Sequence, residues 1–170
     1  MKFTFTPINA EDVHTVCSWH YVEPYSVYDI GYDVDEASVE SEMLDRRSPH
    51  YAVRDEQGAF IGFFGFGSAS EVWNNAEPYL YTPDNAGKTI SVGLGMHPDL
   101  TGKGLGLAFA NAGLAFANTE FAPDYFRLYV MPFNERAIRV YERAGFARVG
   151  TYMQQYDGGE REFVEMRRRA

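Results

Sequence analysis

A strand, a glycine-rich loop and a helix follow one another in mid-chain, and this succession constrains the fold more than any other feature. From Thr89 to Met96, large apolar residues alternate with Thr, Ser and Gly, which predicts a strand with one face of small residues. Glycines at 102, 104 and 106 then permit unusual backbone conformations, and Leu105–Asn118 has the apolar spacing of a helix. Strand glycines often mark close approach to the backbone, so we expect a packed helix or an extended ligand there.

The loop between this strand and this helix is a candidate anion site. A helix N-terminus presents unpaired N–H groups with partial positive charge, and glycines let a pyrophosphate come close to them. The P-loop pattern fails, because Gly102-Lys103 is followed by Gly104 instead of Ser or Thr. The dinucleotide fingerprint fails too, because Leu107 or Phe109 stands where its third glycine belongs. A pyrophosphate loop and a glycine turn that binds nothing both remain open.

The rest of the chain predicts an α/β fold in a single domain over residues 1–170, since no repeat, linker or composition break divides it. The predicted element order is βααββ, then βαβα, then ββ. The predicted strands are Lys2–Thr6, His50–Arg54, Ala59–Gly67, Thr89–Met96, Tyr125–Met131, Arg148–Tyr156 and Arg161–Arg168. The predicted helices run from Asn9 to about Trp19, from Asp35 through Met43, from Leu105 to Asn118 and from Asn134 to Ala144. Ser68–Lys88 has no period and reads as a long surface excursion.

Composition narrows the classes of partner. The net charge of -9 repels a nucleic-acid backbone and would attract a cationic partner such as an amine, although acidity serves solubility as well. The single cysteine, Cys17, excludes an internal disulfide and a cysteine metal cluster, and we expect no metal. The sequence contains no signal segment and no apolar run of bilayer length, so we expect a cytoplasmic protein without a membrane partner.

Two motifs together resemble the GNAT superfamily of N-acetyltransferases. Thr101-Gly102-Lys103-Gly104-Leu105-Gly106 looks like the acyl-CoA pyrophosphate loop of that family. About 30 residues downstream, the segment from Leu128 to Phe146 resembles its second motif, with Asn134, Ala137, Tyr141 and Gly145-Phe146 at the family's spacing.

The resemblance implies a mixed sheet of about seven strands flanked by about four helices, with a V-shaped cleft between the fourth and fifth strands. Acetyl-CoA would lie with its pantetheine arm in that cleft. Tyr141 would stand near the sulfur and protonate the departing thiolate, which suits a phenol with an unperturbed pKa of about 10. The residues implied to bind the coenzyme are Leu94, Met96, Thr101, Gly102, Lys103, Gly104, Leu105, Gly106, Leu107 and Asn134. Tyr141 as a core aromatic and Asn134 as a helix N-cap are the plain structural alternatives.

The chain departs from the family pattern at two positions. Thr101 stands where Gln or Arg is common, so coenzyme affinity would depend more on the loop amides and Lys103. Ser91 stands where many members carry a Glu that acts as general base; a serine can order a water but is no strong base. Asp29, Glu23 and His97 are alternative proton acceptors, and selection of the neutral form of the amine is another possibility.

In the family the acceptor side is usually formed by the first two helices and their connection. Here that connection combines aromatic rings with carboxylates, which suits a cation, although rings that pack a loop onto a sheet would give the same pattern. The candidate acceptor residues are Trp19, Tyr25, Tyr28 and Asp29, with Tyr21 beside them. The predicted function is acetyl transfer from acetyl-CoA to a primary amine, either a small molecule or a protein N-terminus. The alternative is a non-catalytic acyl-CoA sensor or interaction module, and both monomer and homodimer remain open.

Overall fold

The computed structural model describes residues 2–31, 34–72, 88–156 and 158–170. These residues form seven strands and four α-helices, which confirms the predicted fold class. The strands are β1 (Thr4–Pro7), β2 (His50–Arg54), β3 (Phe60–Phe66), β4 (Thr89–Met96), β5 (Tyr125–Val130), β6 (Ala147–Tyr156) and β7 (Gly159–Arg169). The helices are α1 (Ala10–Cys17), α2 (Glu36–Met43), α3 (Gly106–Phe121) and α4 (Glu135–Arg143).

The sheet is mixed, with strand order β1-β2-β3-β4-β5-β7-β6. The β4–β5 pair is parallel, while β1–β2, β2–β3, β5–β7 and β6–β7 are antiparallel. The parallel register joins Thr89, Ile90 and Ser91 at the start of β4 to Tyr125, Phe126 and Arg127 at the start of β5. The V-shaped cleft stays a prediction.

The chain divides into two compact units, each built from two separate segments. The first comprises Met1–Ala69 and Gly93–Leu105, and the second Ser70–Val92 and Gly106–Ala170. The expectation of a single domain over residues 1–170 stays a prediction.

The core of the first unit forms where α1 and α2 bury their apolar stripes. The helix α1 starts at a capping box in which Asn9 Oδ1 accepts from Asp12 N at 3.0 Å, as the sequence predicts. Val13 and Val16 are fully buried one turn later. The helix ends at Cys17, two residues before the predicted end, because Ser18 caps it and Trp19 turns into the core. The cluster also contains Ile8, Val39, Met43, Ala52 and Phe63.

On the glycine-rich face of β4, Gly95 makes room for a packed side chain. A Cβ added at Gly95 would lie 2.3 Å from Cε1 of Phe63, a buried ring on β3. The close neighbour at Gly95 is therefore an aromatic side chain of β3, while the approach of an extended ligand to this strand stays a prediction.

The second unit buries one face of β5 and β7. On this face the buried side chains Leu128 and Val130 of β5 stand opposite Met166 and Val164 of β7, and Phe126 stands opposite Arg168. Arg168 lies on it as well and donates to the carbonyl of Ala144, the C-cap residue of α4, at 2.6 Å. This contact sets α4 against the apolar side of the strands.

The buried face of α3 differs from the predicted one. The sequence predicts a stripe of Leu105, Phe109, Ala112 and Phe116. The buried residues of the helix are Phe109, Ala110, Gly113, Leu114 and Ala117, so the two sets share only Phe109. Because apolar residues surround most of this helix, periodicity alone did not determine which side would be buried. The small residues face inward, where they allow close packing.

Two further sequence expectations concern the predicted excursion from Ser68 to Lys88 and membrane-spanning helices. Ser68–Ser70 form a short 3₁₀ turn, and the rest of the predicted excursion lies mostly outside the described residues. No helix within residues 2–31, 34–72, 88–156 and 158–170 is long and apolar enough to cross a membrane.

Candidate functional site

The loop after β4 has the backbone conformation for which its glycines were singled out. Gly102 and Gly104 have φ angles of 74° and 81°, in the left-handed region that side-chain-bearing residues avoid. A Cβ at Gly104 would have no neighbour within 4 Å, so this glycine is required by conformation and not by crowding. Lys103 between them is exposed. The Thr101 hydroxyl donates to the Pro98 carbonyl at 2.8 Å, so it braces the turn.

The third loop glycine has a different role. Gly106 is the first residue of α3, and a Cβ there would lie 3.1 Å from Cγ2 of Val140 on α4. It therefore allows the first turn of α3 to lie directly against α4. The residue after Val140 is Tyr141, the predicted general acid.

The two predicted functional residues of α4 occupy distinct environments. Asn134 is buried, and its Oδ1 accepts from Ala137 N at 3.1 Å as the helix N-cap. Tyr141 is half-buried, with its ring centroid 6.2 Å from that of Phe146 in an edge-on arrangement. The N-cap role of Asn134 leaves its amide group as a donor, so the structural and the predicted coenzyme-binding roles are compatible.

The end of β4 already has a side-chain partner in the first unit. The Tyr21 hydroxyl donates to the Met96 carbonyl at 2.8 Å, and His97 N donates to the Ile61 carbonyl on β3 at 2.9 Å. A carbonyl has two lone pairs, so Met96 can accept a second hydrogen bond from a ligand along this edge. Leu94, the other predicted partner of the pantetheine arm, is half-buried.

His97 is built into the turn after β4. Its Nδ1 accepts from Asp99 N at 3.2 Å, and its ring lies edge-on to Trp19 at 5.2 Å between centroids. These contacts match the turn role that the sequence suggests for a histidine beside Pro98.

The predicted acceptor residues follow α1. Trp19 is only 5% exposed and packs on the rings of Phe60 and Phe63, so the structure gives it a place in the core. Tyr25 and Tyr28 begin and end a half-buried 3₁₀ turn. Packing is therefore observed for Trp19, while acceptor binding by any of these three rings remains a prediction.

Asp29 holds the segment before it in place. Its Oδ1 accepts from Tyr21 N at 2.8 Å, and its Oδ2 lies 3.1 Å from His20 Nδ1. Both carboxylate oxygens are therefore engaged, one of them in positioning the backbone of the tyrosine that reaches Met96.

Ser91 belongs to a buried polar cluster that sequence reasoning missed. Its hydroxyl donates to Glu71 Oε1 at 3.0 Å and accepts from Arg127 Nε and Nη2 at 3.2 and 3.1 Å. Arg127 Nη2 also donates to Glu71 Oε1 at 2.6 Å. The side chains of Arg127 and Glu71 are 5% and 13% exposed. An arginine within the otherwise apolar run of β5 signalled a buried anionic partner, but the sequence did not show which one.

Tyr129 continues this cluster along β5. The Arg127 guanidinium carbon lies 5.6 Å from the centre of its ring. Burial, opposed by the charge of Arg127, raises the pKa of Tyr129 to about 12. The phenol is therefore protonated, and able to donate a hydrogen bond, throughout the neutral pH range.

The chemistry of these groups is that of acids, bases and backbone donors. Among the described residues no group of three or more His, Cys, Asp or Glu side chains is arranged to hold a metal ion.

Comparison with known proteins identifies the family. Residues 2–147 match the family model described as an acetyltransferase (GNAT) domain. The chain belongs to the GNAT acetyltransferase family. This membership confirms the resemblance that the loop at 101–106 and the segment at 128–146 predicted.

An individual relative is similar to this chain over only part of its length. A mycothiol acetyltransferase of Propionibacterium freudenreichii is 36% identical over 100 residues, which are 58% of this chain but 28% of the relative. The match with this chain thus spans 28% of the length of that relative.

Solved GNAT structures share the fold over nearly the whole chain. A spermidine N-acetyltransferase chimera from Vibrio cholerae and hSSAT superposes with a TM-score of 0.73 at 17% identity, covering 98% of this chain and 95% of the other. An aminoglycoside acetyltransferase in complex with coenzyme A superposes with a TM-score of 0.71 at 22% identity, covering 99% and 95%. Likeness at this identity shows the fold alone.

Proposed function

We propose that this chain is an N-acetyltransferase that moves an acetyl group from acetyl-CoA to a primary amine. The observation that carries the proposal is the loop at 101–106 of a GNAT domain, where Gly102 and Gly104 adopt left-handed conformations immediately before α3. Such a loop turns successive backbone N–H groups toward one anion, and the start of a helix adds its own unpaired donors.

The coenzyme fits the residues at this loop. Open space at the position that a Cβ of residue 104 would occupy lets a diphosphate approach the main chain, and exposed Lys103 adds a formal positive charge. The proposed contacts are the amides from Gly102 to Leu107 for the diphosphate, the backbone of Leu94 and Met96 for the pantetheine arm, and the amide group of Asn134. The aminoglycoside acetyltransferase of the same fold was solved with coenzyme A, which supports coenzyme binding by a domain of this fold.

The chemistry is nucleophilic attack by nitrogen on a thioester. The neutral amine forms a bond from nitrogen to the carbonyl carbon, the carbon–sulfur bond breaks, and the thiolate leaves. The nitrogen then loses one proton to give the neutral amide. In the proposed mechanism Tyr141 donates a proton or hydrogen bond to that thiolate. A correctly placed proton donor contributes roughly 10² to 10⁴ in rate.

The acceptor class follows from charge and from the relatives. The chain carries a net charge of -9, which attracts cations over long range. The named activities of the relatives concern spermidine, aminoglycosides and mycothiol. We therefore propose a small-molecule amine as the acceptor and treat a protein N-terminus as the alternative to be excluded by assay.

Release of free thiol from acetyl-CoA across a panel of polyamines, amino sugars, amino acids and N-terminal peptides tests the function. We expect amine-dependent thiol release and an acetylated product by mass spectrometry. Tyr141→Phe should lower turnover with coenzyme affinity unchanged by calorimetry. Coenzyme binding without release on any amine would favour the sensor, and an absence of binding would refute the proposal.

A further inference from the structure

Glu71 supplies a buried carboxylate at the position where the sequence leaves the proton acceptor unassigned. The side chain comes from the segment after the Ser68–Ser70 turn and reaches the Ser91 hydroxyl on β4. We propose that Glu71 is the general base that removes a proton from the acceptor ammonium. This inference rests on the proposed acetyl transfer.

Glu71 differs from the buried acids Asp12 and Asp29 in which of its carboxylate oxygens accept hydrogen bonds. In Asp12, Oδ1 accepts from Arg54 at 2.6 Å and Oδ2 from Asn9 N at 3.4 Å. In Asp29 both oxygens are likewise engaged. The contacts that described residues make to Glu71 all end on Oε1. Oε2 is therefore the carboxylate atom that we assign to the incoming proton.

Arg127 and Ser91 act as positioning residues for this carboxylate. Ser91 is paired with Arg127 in the parallel register of β4 and β5, so their side chains emerge side by side from neighbouring strands. Together they direct two hydrogen bonds onto one oxygen and thereby fix the orientation of the other. Burying a guanidinium and a carboxylate costs desolvation energy that an apolar pair would avoid, which favours a role beyond stability.

The proton and electron balance of the step is complete. The ammonium proton passes to Glu71 Oε2, directly or through one water, and leaves the nitrogen lone pair free. That pair forms the bond from nitrogen to the acetyl carbon of acetyl-CoA while the carbon–sulfur electrons go to sulfur. The thiolate is protonated by Tyr141. The positively charged product nitrogen then loses its second proton, through water, to the tyrosinate, which restores the phenol and leaves the neutral amide. Glu71 returns its proton to solvent.

The pH profile of Glu71→Gln is the decisive measurement, because a general base and a structural anchor affect it differently. Without the base, only the neutral amine reacts, so kcat/KM should rise about tenfold per pH unit toward the amine pKa of about 10. We expect a loss of roughly 10² to 10⁴ at pH 7 that shrinks steadily as the pH rises. An acceptor with an amine pKa near 7 should likewise recover much of the lost rate at pH 7.

Glu165→Gln is the matched control. Glu165 is also a partly buried carboxylate bound by an arginine, with Arg167 Nε at 2.6 Å, but it has no contact with Ser91 among the described residues. Its variant should keep the wild-type pH profile. If Glu71→Gln leaves Arg127 too poorly compensated to fold, the double variant Glu71→Gln/Arg127→Met removes both charges together and takes its place.

The outcomes separate this inference from the proposed function. Wild-type turnover combined with a Glu71→Gln or double-variant profile parallel to the wild type, reduced equally at every pH, would overturn the role of Glu71 alone. An absence of wild-type turnover on every amine would overturn both.

Discussion

Gly58 and Gly104 form a matched pair that separates the folding role of the coenzyme loop from its binding role. Both have φ of 81°, and an added Cβ at either would have no neighbour within 4 Å. An alanine at each position therefore introduces the same backbone strain and no steric clash. Gly58 lies in the turn between β2 and β3, whereas Gly104 lies in the proposed diphosphate loop.

The expected loss of stability is equal for the two variants. Left-handed backbone costs an L-residue about 1 to 2 kcal/mol, and the reduced entropy of the unfolded chain returns about 0.4 to 1 kcal/mol. Each variant should therefore lose about 1 kcal/mol, which lowers Tm by about 2 to 4 °C in a chain of this size. Thermal unfolding followed by circular dichroism measures this directly.

Coenzyme affinity should change in one variant only. In Gly104→Ala the added methyl group occupies the open space through which the diphosphate approaches the main chain, so we expect one charge-assisted hydrogen bond to be lost, about 1.5 to 3 kcal/mol. The Kd for coenzyme A should then rise at least about tenfold by calorimetry, while Gly58→Ala binds as the wild type does. Equal destabilisation with wild-type affinity in both variants would refute the assignment of this loop to the diphosphate.

Three further predictions concern packing and charge. In Gly106→Ala the new methyl group would lie 3.1 Å from Cγ2 of Val140, so the variant should be destabilised, and the same substitution should lower Tm by less in a Val140→Ala background than in the wild type. Asp12→Asn removes the charge of a buried carboxylate from half-buried Arg54 and should cost about 1 to 3 kcal/mol in urea unfolding. Asp45→Asn, in an exposed pair with Arg47, should leave the midpoint nearly unchanged. Burial lowers the pKa of His50 below its usual 6.5, so between the folded and the unfolded pKa the unfolded state binds more protons than the folded state. The free energy of unfolding should therefore be highest above about pH 6.5 and fall as the pH drops through this range. In His50→Asn the fall should be weaker.

Local capping chemistry explains why much of the fold could be predicted from the sequence. Asn9, Asp35 and Asn134 each accept a hydrogen bond from the backbone N–H three residues later and so start α1, α2 and α4 at the predicted positions. Period-two alternation predicted β4 from Thr89 to Met96 with both ends correct. These signals are read within a few residues, so they do not depend on the tertiary structure.

Features set by distant contacts were not accessible in the same way. The inward side of α3 depends on which small residues meet a neighbour, and Gly106 against Val140 is a contact between residues 34 positions apart in the printed sequence. The Glu71–Ser91–Arg127 cluster combines three separate segments, and Glu71 stands in a stretch without periodicity. The sequence could signal that Arg127 needs an anion but not where the anion comes from.

The three loop glycines are required for different physical reasons, so each glycine of the motif must be explained separately before the motif supports a function. Gly106 is explained by helix packing alone, since its Cβ would press on Val140 with or without a ligand. A Cβ at Gly104 would meet nothing within 4 Å, so packing does not require this glycine, and its φ of 81° is a conformation that residues with a side chain avoid. Backbone strain of this kind persists where surrounding structure or function requires it. Gly104 is therefore the loop glycine whose replacement tests coenzyme binding most directly, and loss of stability at Gly106 would say nothing about the ligand.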